Sequence, residues 1–593
     1  MVKTACRVLS ACIAVSLWGY CQTPVSTYHA TTRLVQVPVT VLNGNGQFLN
    51  GLRKRNFRLW VDGKPIPIAY LDITRNMKPR PRRIYHLPPG AVTNRQESGV
   101  LNRIVFLFDF SQIPLSQLSR LRAQMLHLFS RPLPRYTDAA ILSETAWLQL
   151  DQPFTRNTRL LRQAIRAQFH PGRGTGMNYA AGWQAKISEI LFDQALSAAA
   201  TAGMRQGGDG GITHIGQSDM AQAEYRRLKN NAINLLALAR MLNGMHGHKN
   251  LLWFTSDTAF TITPPGYSEA AGVRHGPQPG AAFRQTNQLA LWLMNAADTS
   301  LYFINPRGLS AYTANAGSSL LNRPSWVSNQ NPAIHDLVWE NENVPARATG
   351  GMALNNSNDI AGLARQAIER FQDQYILYFK PDFRYHSQMR YHKIRVRLAG
   401  AHGQIWYRHG YLQFARNHNL MFAQNFHPSR HFVLSPLDWT QLPLTLEPGG
   451  RIQGPMPQYW KGPPHLPLVR EWPFSLHIAA RRLIHQYRNG YYYYDFDVDN
   501  FSIPQTSGKI LRLPLDHYRR LLSPAEAKAL LRSGEIRYKG RFVLPAHGHY
   551  LCRTVVRDNV SGRIGTVTIL MPKAASTPAP AGRRALEPVS DKF

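Results

Sequence analysis

The sequence predicts an α/β protein whose open, mostly parallel sheet carries helices on both faces, flanked by an N-terminal β module and a C-terminal β-sandwich. An unbroken apolar run at 104–108 ends at Asp109 and is followed by helically spaced apolar residues at 115–129. Further apolar runs at 250–254 and 300–304 also end in polar residues and alternate with helical patterns. Strands that alternate with helices predict a parallel sheet.

The first segment, 1–21, is predicted to be a secretory signal peptide. Lys3 and Arg7 precede a short apolar run at 8–18, and small residues follow it. Cleavage near Cys21 leaves Cys552 as the one remaining cysteine, so no intrachain disulfide framework is expected. The mature chain is expected to be exported, as a periplasmic, envelope-associated or secreted protein without a transmembrane segment.

Residues 32–72 show the alternation typical of a small β module. Apolar residues at alternate positions of 35–41 lead into the turn at 43–46, and a second strand at 57–61 runs into Asp62. A Pro-rich, basic linker is predicted at 73–100.

The α/β segment is predicted to span 101–412. A glycine loop at 171–176 carries Thr175, and the strand at 250–254 runs toward Asp257. Three later runs are interpreted as edge or closing strands of the same sheet: Tyr375–Phe379, His392–Leu398 and Ile405–Tyr411.

The last large segment, 413–572, is β-rich and predicts a sandwich with one short helix at 524–531. Its tyrosine run, 491–494, offers rings that stack on bases or sugars, but alternation along a strand predicts that two of the four are buried. The tail at 573–593 is rich in Ala, Pro and Arg and is predicted to be disordered.

The charge of the chain is far from balanced. Among 593 residues, 69 Lys and Arg face 34 Asp and Glu, which gives a formal net charge of +35. The excess favours anionic partners such as envelope polymers, or else forms a dispersed solvated surface. The densest basic run, 78–83, is interrupted by proline, so the sequence indicates diffuse charge and no specific nucleic-acid site.

A set of short phrases in a fixed order resembles the von Willebrand factor A-related domain proteins of the acidobacterial type. The resemblance covers about 32–412, and 543–571 is similar to the sandwich that often closes such chains. It implies a Rossmann-like von Willebrand A domain whose ligand face lies at the carboxyl ends of the strands. The phrases are Val37–Val41, Gly51-Leu52, Asn56-Phe57, Val61–Gly63, the tip at Asp109, Gly247–Leu251, Asn305–Leu309 and Tyr407–Tyr411.

The resemblance also implies a metal-ion-dependent adhesion site at that face, built from an Asp-x-Ser-x-Ser tip, a Thr and a second Asp. Asp109 and Ser111 match the tip, Thr175 is the candidate Thr, and Asp257 is a shifted candidate for the second Asp. Ile113 stands where the second Ser belongs, so one oxygen ligand of a Mg²⁺ or Ca²⁺ ion has to come from water or a partner. The alternative is that Asp109 and Ser111 only cap the following helix.

Other constellations are weaker. The His pairs at 246/248 and 547/549 lie at predicted turns without a third ligand. A hydrolase that uses Ser111 needs a positioned base, which no recognisable motif supplies. The sequence therefore favours a non-enzymatic, exported module that binds an unknown protein ligand through the A-domain face. The alternative is a basic cell-envelope protein held by anionic polymers through diffuse charge, and a hydrolase is the weakest of the three.

Overall fold

A computed structural model describes residues 34–74, 87–95, 100, 102–113, 115–144, 148–169, 234–239, 241–242, 245, 247–256, 281–309, 343–381, 390–413, 435, 437–449, 452–453, 469–487, 490–504, 510–545 and 548–571. Several predictions fall outside these residues: the signal peptide 1–21, Thr175 with its glycine loop, His246, Asp257, His547 and the tail 573–593.

Strands dominate the described part of the chain. In chain order they are β1 (Val35–Leu42), β2 (Phe57–Val61), β3 (Lys64–Ile66), β4 (Ile68–Ile73), β5 (Val92–Thr93), β6 (Asn102–Asp109), β7 (Thr137–Glu144), β8 (Leu148–Thr155), β9 (His248–Phe254), β10 (Thr299–Ile304), β11 (Met352–Leu354), β12 (Tyr375–Phe379), β13 (Arg390–Leu398), β14 (Gln404–Tyr407), β15 (Gly410–Gln413), β16 (Leu444–Pro448), β17 (Ile452–Gln453), β18 (Val469–Ala479), β19 (His485–Gln486), β20 (Tyr492–Pro504), β21 (Leu511–Arg512), β22 (Asp516–Leu522), β23 (Glu535–Pro545), β24 (Tyr550–Asp558) and β25 (Ile564–Met571).

Three of the helices, at 158–168, 360–372 and 524–533, begin at side chains that cap them. Asp359 accepts a hydrogen bond from the Gly362 amide at 2.7 Å, and Ser523 and Glu526 form a capping box in front of a proline. Six helices are α1 (Leu115–Leu128), α2 (Thr158–Gln168), α3 (Ala281–Ala296), α4 (Ile360–Gln372), α5 (Ala480–Leu483) and α6 (Pro524–Ser533), and helical residues also occur at 234–239, 241–242 and 343–348.

A six-stranded sheet in the order β11-β10-β9-β6-β7-β8 forms the middle of the molecule. All of its pairings are parallel except that of β7 with β8. Phe106 and Phe108 of β6 pack with α1, α2 and α4, whereas Val105 and Leu107 pack with α3 on the other face. The α/β prediction is confirmed at this level: a mixed, mostly parallel sheet with helices on both faces.

The three late strands assigned to this sheet from the sequence belong elsewhere. β12 pairs with β1 and β4, β13 with β2, and β14 with β1. The interpretation of Tyr375–Phe379, His392–Leu398 and Ile405–Tyr411 as edge or closing strands of the α/β sheet is therefore wrong. They complete the β module, whose core unites residues from both sides of the α/β segment, such as Val39, Phe57, Tyr375 and Val396.

The C-terminal segment forms two antiparallel sheets that share one hydrophobic cluster, with Leu444 and Leu476 from one sheet and Val498 and Val556 from the other. β5 lies in the predicted linker, 73–100, yet it pairs with β16 of this segment. This pairing ties the chain before the α/β segment to the C-terminal sheets.

The predicted burial of two tyrosines in the 491–494 run is wrong. Tyr491 is 47% exposed, and the next three are half-buried. The first half of β20 pairs with β22, whose residues are almost all exposed, and Leu521 opposite Tyr493 is itself 58% exposed. This ribbon extends beyond the core, so neither of its faces is fully covered.

A buried group of charges lies where the parallel strands begin. We call it the amino-edge cluster, and it comprises Arg103, His248, Lys249, Asp298 and Arg408. Asp298 Oδ1 lies 3.3 Å from His248 Nδ1 and 3.6 Å from Arg408 NH1, and Lys249 Nζ donates to the Met245 carbonyl at 2.9 Å. Burial lowers the pKa of Lys249 to about 7, although Asp298 acts in the opposite direction.

Arg408 joins the α/β segment to the β module. Its guanidinium donates to the Asn295 carbonyl at 2.8 Å and to the Gln36 carbonyl of β1. The side chain is buried, so these contacts form away from solvent.

Among the helices of the described residues, none is long and apolar enough to cross a membrane.

Candidate functional site

The carboxyl ends of the parallel strands bring polar residues to one edge of the sheet. β6 ends at Asp109, β7 ends at Glu144, and Thr255 and Ser256 follow β9. Because β6 lies between β7 and β9 and runs parallel to both, these residues are neighbours at the same edge. We call this group the carboxyl-edge site.

Asp109 is the centre of the site. It is fully buried, and its Oδ1 accepts hydrogen bonds from the Ser111 amide at 3.1 Å and the Ser111 hydroxyl at 2.5 Å. Its Oδ2 accepts from the Thr255 hydroxyl at 3.1 Å. Ser111 is exposed, so this hydroxyl joins a buried carboxylate to the surface.

Glu144 places a second carboxyl group beside the first. It lies directly opposite Asp109 in the pairing of β6 with β7, it is almost completely buried, and its Oε1 accepts from Asn234 Nδ2 at 2.8 Å. Burial, followed by the negative charge of Asp109, raises the pKa of Glu144 well above its usual range, while the Asn234 hydrogen bond acts in the opposite direction. The site therefore concentrates negative charge that favours a proton or a cation.

We expect Glu144→Gln to be more stable than the wild type at neutral pH in buffer with a chelator. The raised pKa means that the folded state holds a proton that the unfolded state loses above about pH 4. Wild-type stability should therefore fall as pH rises from that point through the pKa of folded Glu144, and Gln removes this slope. Denaturant unfolding at several pH values measures it.

Glu369→Gln, on the exposed surface of α4, is the matched control and should follow the wild-type profile. Identical pH profiles for the wild type and Glu144→Gln would contradict the description of Glu144 as a carboxyl that holds its proton.

The structure brings together two of the four residues chosen from the sequence, Asp109 and Ser111. Thr175 and Asp257 lie outside the described residues, so their membership of the site stays a prediction. Ile113 is 4% exposed and packs in the core with Phe108, so its position serves packing and supplies no oxygen.

Sequence reasoning missed Thr255 and Glu144. Thr255 stands immediately after the buried run of β9, a position that resembles that of Ser111 after β6, and this was the available signal. Glu144 ends a strand in the same way, but only the strand order shows that it lies beside Asp109.

The groups of the carboxyl-edge site fit a hard cation. Carboxylate and hydroxyl oxygens are the ligands that Mg²⁺ and Ca²⁺ prefer. The Asp109 carboxylate accepts hydrogen bonds from Ser111 and Thr255, and a carboxylate oxygen has lone pairs for more than one contact. Within the described part of the chain, no group of three or more His, Cys, Asp and Glu residues forms a complete metal site, so further ligands have to come from elsewhere.

Each histidine pair has one member among the described residues. His248 lies in the amino-edge cluster beside Asp298, and His549 lies near the start of β24, while His246 and His547 lie outside the described residues. His248 therefore lies beside a carboxylate of the amino-edge cluster.

A cleft of about 990 Å³ lies between the amino edge of the sheet and the C-terminal sheets. Two of the four arginines that line it face carboxylates of the cleft: Arg103 lies 3.7 Å from Asp138, and Arg553 lies 3.9 Å from Asp438. Because these charges neutralise one another, the cleft has less attraction for an anion than its arginines suggest.

No protein-family model matches the chain, and no curated protein matches it. Solved structures give low similarity. An aerotolerance-related membrane protein from Bacteroides fragilis is 12% identical, with 46% of this chain and 98% of that chain covered and a TM-score of 0.23.

PilB minor pilin from Streptococcus sanguinis is 9% identical, with 47% of this chain and 63% of that chain covered and a TM-score of 0.21. Three N-terminal domains of the type V pili tip protein Mfa5 from Porphyromonas gingivalis are 13% identical, with 40% and 31% covered and a TM-score of 0.14.

Proposed function

We propose that the protein is an exported adhesion-type module that binds a protein ligand through the carboxyl-edge site, with a divalent cation between the two. In this proposal the α/β segment is a Rossmann-like von Willebrand A domain with a degenerate metal-ion-dependent site. The observation that carries it is the buried carboxylate of Asp109. One of its oxygens accepts a hydrogen bond from the exposed Ser111 hydroxyl, and the other accepts one from the hydroxyl of Thr255, which follows the neighbouring strand β9.

Each residue of the carboxyl-edge site would have a different role in holding the cation. Asp109 and Ser111 would hold the cation, and Thr255 would fix the orientation of the Asp109 carboxylate. Glu144, which holds its proton in the cation-free protein, would release that proton when the cation binds and then add a second negative charge. The cation supplies a positive centre with open positions for oxygen ligands. Because Ile113 contributes no oxygen, a carboxylate of the partner would complete the coordination.

The proposal predicts that Ca²⁺ or Mg²⁺ stabilises the wild-type protein and not Asp109→Asn. Extracellular modules bind Ca²⁺ with dissociation constants of about 10⁻⁴ to 10⁻³ M. A cation at ten times its dissociation constant adds about 1.4 kcal/mol to the free energy of unfolding. Thermal unfolding with the cation or with a chelator measures the difference, and Asn preserves the shape of the side chain while removing its charge.

Asp359→Asn is the matched control, because it exchanges an exposed helix-capping carboxylate for an amide that also caps well. It should respond to the cation as the wild type does. Equal stabilisation of the wild type and Asp109→Asn would place cation binding elsewhere and contradict the proposal.

A further inference from the structure

One face of the sheet β15-β13-β2-β3 contributes to the core of the β module, and its other face carries cations. Along β13, Lys393, Arg395 and Arg397 are exposed and alternate with buried Ile394 and Val396. Successive side chains of a strand point to opposite faces, so the three cations share the outer face.

β2 extends this row sideways. Arg58 and Trp60 alternate with buried Phe57 and Leu59, and the register places Arg58 opposite Arg397 and Trp60 opposite Arg395. The guanidinium carbon of Arg397 lies 5.9 Å from the centre of the Trp60 ring. We call these five residues, Arg58, Trp60, Lys393, Arg395 and Arg397, the basic sheet face.

The like charges of the basic sheet face lower the stability of the folded protein. Like charges directly opposite each other on neighbouring strands, as Arg58 and Arg397 are, destabilise a sheet. None of the four cations forms an ion pair with a carboxylate of the described residues. Charged residues often protect the edges of sheets, and Arg395 and Arg397 lie on a part of β13 that pairs with β2 and not with β15, which pairs over Arg390–Lys393. Edge protection leaves the repulsion between Arg58 and Arg397 in place, and an anionic partner would offset it.

We propose that the basic sheet face binds an extended polysaccharide that carries carboxylates. Alternate residues of a strand are about 6.7 Å apart, so the three cations of β13 span about 13 Å. That length suits a chain with repeated negative charges better than a single small anion. Arginine pairs with carboxylates in a bidentate manner, and the half-buried Trp60 offers a flat apolar surface to a sugar ring.

Two other anionic partners fit less well. Single-stranded nucleic acid is held by several aromatic rings on which successive bases stack, and this face has one. A membrane surface requires apolar side chains that enter the lipid, and Trp60 is again the single candidate on the face. The inference goes beyond the proposed function, because the face lies on the β module and not at the carboxyl-edge site.

The test compares binding to polygalacturonate by the wild type, by Arg58→Gln/Arg395→Gln/Arg397→Gln, and by Arg159→Gln/Arg166→Gln/Arg532→Gln. The second triple removes the same charge from exposed positions of α2 and α6. We expect the first triple to bind at least about tenfold more weakly, with a smaller dependence on salt, and the control to bind within about twofold of the wild type. Equal losses in both triples would overturn the proposal in favour of diffuse charge.

Trp60→Thr separates a sugar polymer from other polyanions. It should weaken binding to polygalacturonate about fivefold and leave binding to polyphosphate unchanged, because only a sugar ring uses the indole surface. Tighter binding to single-stranded DNA or to anionic phospholipid vesicles than to polygalacturonate would also overturn the proposal. Unchanged thermal midpoints check that every variant is folded.

Discussion

Arg408→Met is expected to lower the free energy of unfolding by about 3 kcal/mol, because removal of one member of a buried charged group leaves its partners uncompensated. Met retains an apolar stem of similar length, so the loss reports on the guanidinium. Its hydrogen bonds to the Asn295 and Gln36 carbonyls disappear, and Asp298 loses a cation at 3.6 Å. The expected result is a weaker connection between the β module and the α/β segment.

Denaturant unfolding, combined with hydrogen exchange of β1, measures this effect. Arg390→Met, at an exposed position of β13, is the control and should change stability by less than about 0.5 kcal/mol. A loss no greater in Arg408→Met than in this control would show that the guanidinium does not hold the two units together.

Lys249→Met is expected to stabilise the protein below pH 7, by an amount on the order of a few kcal/mol. Burial, which is partly offset by Asp298, lowers the pKa of folded Lys249 to about 7, whereas the unfolded chain keeps the ordinary value of about 10.4. Between these values the unfolded state binds more protons, so wild-type stability should rise with pH through this window. Lys249→Met lacks this pH dependence, so the free energy of unfolding that it gains over the wild type should shrink as pH approaches 10.

The measurement is the free energy of unfolding from pH 6 to 10. Lys528→Met, on the exposed side of α6, removes the same charge from the surface and should reproduce the wild-type profile. If Lys249→Met also follows the wild-type profile, or is less stable at every pH, the ammonium group is satisfied in the folded state and the description of the amino-edge cluster is wrong.

Local sequence patterns predicted the positions of helices and strands well, but they did not predict which strands pair with one another. The apolar run of β6 and the helical spacing of α1 identify both elements, because burial on two faces and a repeat of about 3.6 residues leave direct traces in the sequence. The limits of β12 were also predicted correctly. Its sheet was not, since alternation shows that a segment is a strand and does not show which strand it pairs with.

The two proposed binding surfaces differ in the same way: one is visible in the local sequence and the other is not. Asp109 and Ser111 are two residues apart and were found from the sequence, whereas Glu144 joins them only through the order of the strands. The basic sheet face unites residues of β2 and β13, which are far apart in the chain, so a search for basic runs cannot detect it. The prediction of diffuse charge was made from local windows of sequence, which cannot show charges that strand pairing brings together.

The most direct test of the carboxyl-edge site is a crystal structure of the wild-type protein grown with Mn²⁺, which takes the same oxygen ligands as Mg²⁺ and can be located by its anomalous scattering. We predict an anomalous peak within coordination distance of Asp109 or the Ser111 hydroxyl, and no such peak in crystals of Asp109→Asn. A map from wild-type crystals that shows Mn²⁺ only at other positions, or none at this edge, would contradict the account.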